Sequence, residues 1–124
     1  MKITIETIDH NDQRYNTIGD WQSIGDTLVI KVSETGNIWY NILAGIHELV
    51  EAVLCYAYSI TQQQVDEFDM NHPELDEPGD SKDAPYHEQH KFASLIEKLL
   101  AIELDADWGE YENNLEEILD SWRK

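Results

Sequence analysis

Residues 38–59 read IWYNILAGIHELVEAVLCYAYS, a largely apolar run in the middle of the chain. Trp39, Ile42, Leu43, Ile46, Val50, Val53, Leu54 and Ala57 recur at helical spacing. Asn37, just ahead of them, can cap the first turn through its side-chain oxygen. Leu49 and Tyr56 spread the apolar surface beyond a single stripe, so the helix is expected to be central and largely covered. Gly45 costs such a helix about 1 kcal/mol relative to Ala. Close packing against the hairpin is the expected compensation.

A central helix needs partners on several sides, and the flanking segments supply them. KITIETI near the N-terminus alternates Ile3 and Ile5 against Thr4 and Glu6, the pattern of a strand with one buried face. TLVIKV, residues 27–32, is rich in β-branched side chains and reads as a second strand, with Leu28, Ile30 and Val32 on one face. The polar stretch 9–26 is either a long loop or hides a third strand. Downstream, TQQQ forms a capping box at Thr61 and Gln64, and Ile60 and Val65 are placed as a hydrophobic staple. That short helix should end near residue 70, where NHP stops it, followed by an acidic loop over 71–83. A third helix is expected to begin between Asp83 and Tyr86, since Pro85 is tolerated in a first turn. Its apolar side would be Phe92, Leu95, Ile96, Leu99, Leu100 and Ile102 or Leu104. A last helix over about 109–122 would pack through Tyr111, Leu115, Ile118, Leu119 and Trp122. The expected architecture is one α+β domain spanning 1–124, with a β-rich part (1–36) and a helical part (37–124). In it a small antiparallel N-terminal sheet of two or three strands packs on three or four helices.

The charge balance narrows the function classes. The chain of 124 residues holds 26 acidic and 8 basic side chains, a net charge of −18. Such a charge opposes direct binding to nucleic-acid phosphates or an anionic membrane. It suits cations or a basic protein partner. The single cysteine, Cys55, excludes an internal disulfide and is expected to be a buried, inert thiol. MKITIETIDH lacks the apolar segment of a signal peptide, and no uninterrupted apolar run reaches the length of a membrane span.

Chemistry is concentrated in HELVE, residues 47–51. On a helix His47 and Glu51 are four apart and share a face, so both can reach one metal ion. Glu48 beside them can serve as the general base for a bound water. A second source of ligands is PYHEQH, where His87 and His90 open the next predicted helix. His90, deeper in that helix, is the preferred third ligand, with His87 as a further candidate. A divalent metal is therefore expected: zinc first, with manganese, iron or magnesium admitted by the carboxylate. Asp66 and Asp69 in VDEFD are spaced as Glu48 and Glu51 are, which makes Asp69 another candidate for a harder ion. An alternative use of the charge is non-catalytic. The exposed carboxylates of 66–83 and 103–120 could mimic DNA and occupy a basic groove of a host enzyme.

Three resemblances follow from these residues. HELVEAVLC, VDEFD, EPGD with APYHEQH, and DWGEY, together with QRYNTIGDW and VSETGN, resemble a group of small phage and prophage proteins. That resemblance covers most of the chain and implies a cytoplasmic, phage-associated protein without assigning an activity. HELVE also resembles the HExxH helix of metallopeptidases, with Glu51 in place of the second His. Glu48, Glu51, Asp66 and Asp69 resemble the ExxE…ExxD carboxylates of MazG-type nucleotide pyrophosphohydrolases, with Asp66 where that pattern has Glu. It implies magnesium ions held against a triphosphate.

Overall fold

Gly25 and Asp26 make a two-residue turn between two strands, with Gly25 at φ +60°, where a side chain is strained. The computed structural model, which describes residues 1–123, places β2 (Gly19–Ile24) and β3 (Thr27–Ser33) on either side of this turn as an antiparallel pair. β1 (Lys2–Ile8) lies along the other edge of β3 and runs parallel to it, with Ile5 opposite Ile30. The strand order β1-β3-β2 makes the sheet mixed rather than wholly antiparallel. Residues 9–18 carry the chain from one edge of the sheet to the other, and this crossing makes β1 parallel. Their polar groups are satisfied at the end of β3. Gln13 Nε2 donates to Ile18 O at 3.1 Å and to Ser33 Oγ at 3.2 Å, and His10 Nδ1 lies 2.7 Å from Ser33 Oγ.

Four helices follow: α1 (Ile38–Ala57), α2 (Gln62–Asn71), α3 (His87–Glu103) and α4 (Trp108–Asp120). The fold is α+β. Asn37 caps α1, its side chain accepting from the backbone of Trp39 and Tyr40. The Thr61–Gln64 capping box opens α2. Gly45 lets α1 settle on the sheet: a Cβ there would lie 3.0 Å from Ile5 Cγ2 and 3.8 Å from Val32 Cγ2. Leu28, Ile30, Val32, Ala44, Ala52 and Cys55 form the core between sheet and helix. Arg14 ties the crossing segment to both layers. Its guanidinium grips Asp20 of β2 through two contacts of 2.7 Å and Asp66 of α2 through two of 3.0 Å. Leu43 of α1, Ala101 of α3 and Tyr111 of α4 make a second, smaller core.

α4 buries its predicted side, through Tyr111 and Leu119, but α3 and part of α1 turn a different side inward from the one their apolar spacing predicts. α3 turns His90, Ala93, Glu97 and Ala101 inward. Phe92, Leu95, Leu99 and Ile102 are exposed instead. On α1 the buried residues include His47 and Glu51, whereas Trp39, Ile42 and Val53 are about half uncovered. The physical reason lies in the α1–α3 seam. Small residues there allow close approach, and the polar groups in it satisfy one another, so the bulky side chains turn outward. β1 differs too: Ile3 and Ile5 remain 47% and 46% exposed, because α1 reaches this edge strand only where Gly45 meets Ile5. By length and composition alone α1 is apolar enough to cross a membrane, but in this fold it is the helix on which the sheet and α3 both pack.

Candidate metal centre

His47 and Glu51 project from α1, one helical turn apart, toward the start of α3. His90 projects from the first turn of α3 into the same space. Its ring fits because Gly79, in the turn Pro78–Asp80, has no side chain: a Cβ there would lie 2.4 Å from His90 Cγ. The three ligand atoms form a triangle. Glu51 Oε2 is 3.1 Å from His47 Nε2 and 2.9 Å from His90 Nδ1, and the two nitrogens are 3.2 Å apart. All three residues are at least nine-tenths buried.

The far side of each imidazole is anchored. His47 Nδ1 lies 2.8 Å from Glu97 Oε1, and the other oxygen of Glu97 accepts from Tyr111 Oη at 2.6 Å. His90 Nε2 lies 3.1 Å from Asp80 Oδ1. A carboxylate accepts, so each of these nitrogens carries the proton. In the neutral imidazoles this leaves lone pairs on His47 Nε2 and His90 Nδ1, both aimed at the Glu51 oxygen. Three acceptors converge with nothing to share unless a cation or protons stand among them. Carboxylate–imidazole pairs of this kind orient metal-ligating histidines. His47 Nε2, Glu51 Oε2 and His90 Nδ1 would be the atoms that hold such an ion. Among the described residues, His47, Glu51 and His90 are the group that could hold a metal ion.

The charges of the metal-free cluster support one another. Burial disfavours a charged His47, yet Glu51 and Glu97 hold its pKa well above the usual range. His90 is raised against the same burial cost, chiefly by Glu51. Burial would likewise raise Glu51, but its hydrogen bonds from His47 and His90 win and pull it down.

The other sequence candidates occupy distinct places. Glu48 borders the triangle and sits between two cavities, of about 40 and 230 Å³. Gly19 of β2 is pressed against it, since a Cβ there would fall 2.3 Å from Glu48 Cγ. Burial, reinforced by the charge of Glu51, raises the Glu48 carboxyl well above its ordinary pKa. Asp69 borders the smaller cavity and accepts from Tyr86 Oη and, at 3.0 Å, from Tyr15 Oη. It is not brought into the ligand triangle. His87 turns away and donates from Nδ1 to Gly79 O at 2.9 Å. Asp66 is engaged with Arg14. Cys55 is fully buried, and burial pushes its thiol up to about 12.

Glu97, Asp80 and Tyr111 are the functional groups that motif spacing leaves out. Glu97 carried one signal: it lies seven residues after His90, two turns along the same helix face. Asp80 carried none, because a loop residue's neighbour is set by tertiary structure. The chain matches no family model, no curated protein and no solved structure.

Proposed function

We propose that this chain is a metal-dependent hydrolase whose centre is one divalent ion held by His47, Glu51 and His90. The observation that carries the reading is the pair of lone-pair nitrogens meeting one carboxylate oxygen, each imidazole backed by its own carboxylate. Zinc is the first candidate. The short edges of the triangle also suit the near-right-angle ligands of six-coordinate manganese or iron(II). The ion would supply a Lewis acid that lowers the pKa of a bound water toward neutrality. Glu48 is the general base. In the metal-free chain burial raises its pKa, and the positive charge of an ion nearby would lower it again. The 230 Å³ cavity bordered by His47, Glu48 and His90 is where a substrate would approach. Lys98 lines the same cavity and can hold an anionic group.

The test is the metal content of protein purified without a tag. Stoichiometric metal, lost in Glu51→Gln, supports the centre. Hydrolysis of ester, peptide or phosphate substrates, nucleoside triphosphates included, lost in Glu48→Gln while the metal remains, supports the catalytic role. Absence of metal together with no thermal shift on adding zinc, manganese or magnesium overturns the reading.

A second reading draws on the surface. From Glu103 to Asp120 every acidic residue is exposed, with no basic residue among them. Such a face suits the basic groove of a partner protein, the role of an acidic inhibitor. Salt-sensitive capture of a basic nucleic-acid enzyme by Glu51→Gln protein would favour it.

A further inference from the structure

β1 is an edge strand with a bare outer side. Among the described residues it pairs with β3 alone. Lys2 N–H donates to Asp26 O at 3.0 Å, and Ile8 O accepts from Glu34 N–H at 2.8 Å. The even-numbered residues of β1 therefore turn their backbone groups toward β3. Ile3, Ile5 and Thr7 turn theirs the other way, where no described strand of this chain meets them. Edge strands are commonly blunted by Pro, a bulge or a covering segment. Here there is no Pro, and the register with β3 runs unbroken from Lys2 to Ile8. Ile3 and Ile5 are about half exposed on the side that faces α1. A groove of about 620 Å³ runs between this strand and the outward side of α1, lined by Ile5, Ile38, Ile42, Gly45 and Ile46. It joins strand and helix into one surface, to which α1 contributes no charged residue.

The edge is complementary to itself in one register. Two copies related by a two-fold axis pair their β1 strands antiparallel, one patch meeting itself. Centred on Thr4, this sets Lys2 of one copy opposite Glu6 of the other, and Ile3 opposite Ile5. Ile3 and Ile5 have the outward backbone groups, so each Ile3–Ile5 pair exchanges both of its hydrogen bonds. Thr4 with its copy and Lys2 with Glu6 become the intervening pairs, whose side chains stand closest. Lys2 and Glu6 are both exposed. Centring the strands on Ile5 instead would set Lys2 against Ile8 and Glu6 against Thr4, and no charges would pair. In a chain of net charge −18, an edge that offers its own counter-charge is where a second copy meets least repulsion.

We infer that the protein is a two-fold homodimer in which the β1 strands pair antiparallel about Thr4, joining the two three-stranded sheets into one continuous sheet. Both α1 helices then stand on the same face of that sheet, with Ile3 and Ile5 of the two copies side by side between them. The interface is separate from the metal centre: Ile42 and Glu51 are nine positions apart and so lie on opposite sides of α1.

Analytical ultracentrifugation at tens of micromolar, with cross-linking, tests it. The wild type should sediment at twice the chain mass of 14.4 kDa. Ile3→Pro removes an outward N–H without touching the bonds to β3, and should give a folded monomer. Thr4→Cys should form a covalent dimer on mild oxidation, because the pairing brings its two Cβ atoms within disulfide reach. Glu6→Cys, on the same face, lies opposite Lys2 and should stay uncross-linked, and Cys55 is buried. A monomeric wild type overturns the proposal, whether or not a strand of another protein binds this edge. A folded Ile3→Pro variant that stays dimeric overturns it too. Should Ile3→Pro fail to fold, the cysteines decide: Thr4→Cys cross-linking no faster than Glu6→Cys counts against this interface.

Discussion

His47 Nδ1 and Glu97 Oε1 lie 2.8 Å apart, joining residues fifty positions distant on two antiparallel helices. The contact fixes which imidazole nitrogen faces Glu51 and His90. Replacing Glu97 by Gln keeps an acceptor but removes the charge that favours this tautomer. Metal affinity, measured by competition with a chelator, should fall about 10- to 100-fold, the usual effect of removing such a partner. The metal-free melting temperature should fall as well, because Glu97 supports the charged form of buried His47. Unchanged affinity would assign the contact to packing alone.

Metal should stabilise the fold, because the ligands sit on two helices that unfolding separates. At a hundred times its dissociation constant a ligand adds about 2.7 kcal/mol, on the order of a 10 °C rise in melting temperature for a domain of this size. Glu51→Gln should abolish the rise in a thermal scan. A rise that survives in Glu51→Gln would move the binding to the exposed carboxylates.

Two glycines leave room for site side chains, and each can be tested with one methyl group. Gly79→Ala would place a Cβ 2.4 Å from His90 Cγ, and Gly19→Ala one 2.3 Å from Glu48 Cγ. Overpacking of this kind costs about 1–3 kcal/mol. Gly79→Ala should weaken metal binding through His90. Gly19→Ala should leave binding largely intact and lower turnover. Isothermal titration and rate measurements on both variants separate these outcomes; equal effects on both properties would contradict the assignment.

Asp69 gives a pH signature. Burial pushes its carboxyl up to about 6, against the ordinary value of 3.8. The folded chain therefore holds this proton more tightly than the unfolded chain. The stability it contributes is complete below about pH 4, is lost as pH rises toward 6, and is constant above that. Asp69→Asn removes the titration. The stability difference between variant and wild type should shift in the variant's favour by on the order of 2 kcal/mol between pH 4 and 7, read by urea unfolding. A difference independent of pH would show that Asp69 ionises normally.

The local signals were legible. The Asn37 cap, the Thr61–Gln64 capping box and the helical period of 38–57 depend on residues within a few positions of one another, and the structure has each of them. The pairing of HELVE with His90 was expected from the helical spacing of each segment, and the structure brings them together. Which side of α3 turns inward was not readable. Its bulky stripe gives the stronger periodic signal, and the small and polar residues that win do so only because α1 carries their partners. The parallel pairing of β1 was hidden for a similar reason, because strand order depends on where the 9–18 crossing lands. Asp80 reaches His90 from a loop, and no periodicity points to it.

Glu51 and His90 are separated by 39 positions. On a ribosome adding about 5–20 residues each second, His47 and Glu51 precede their third partner by about 2–8 s. During that interval the nascent helix could offer an ion only two ligands. The third ligand enters the triangle only when α3 docks against α1 and the Pro78–Asp80 turn closes over its ring. An ion retained by the finished protein therefore marks a chain whose later half has already found its place.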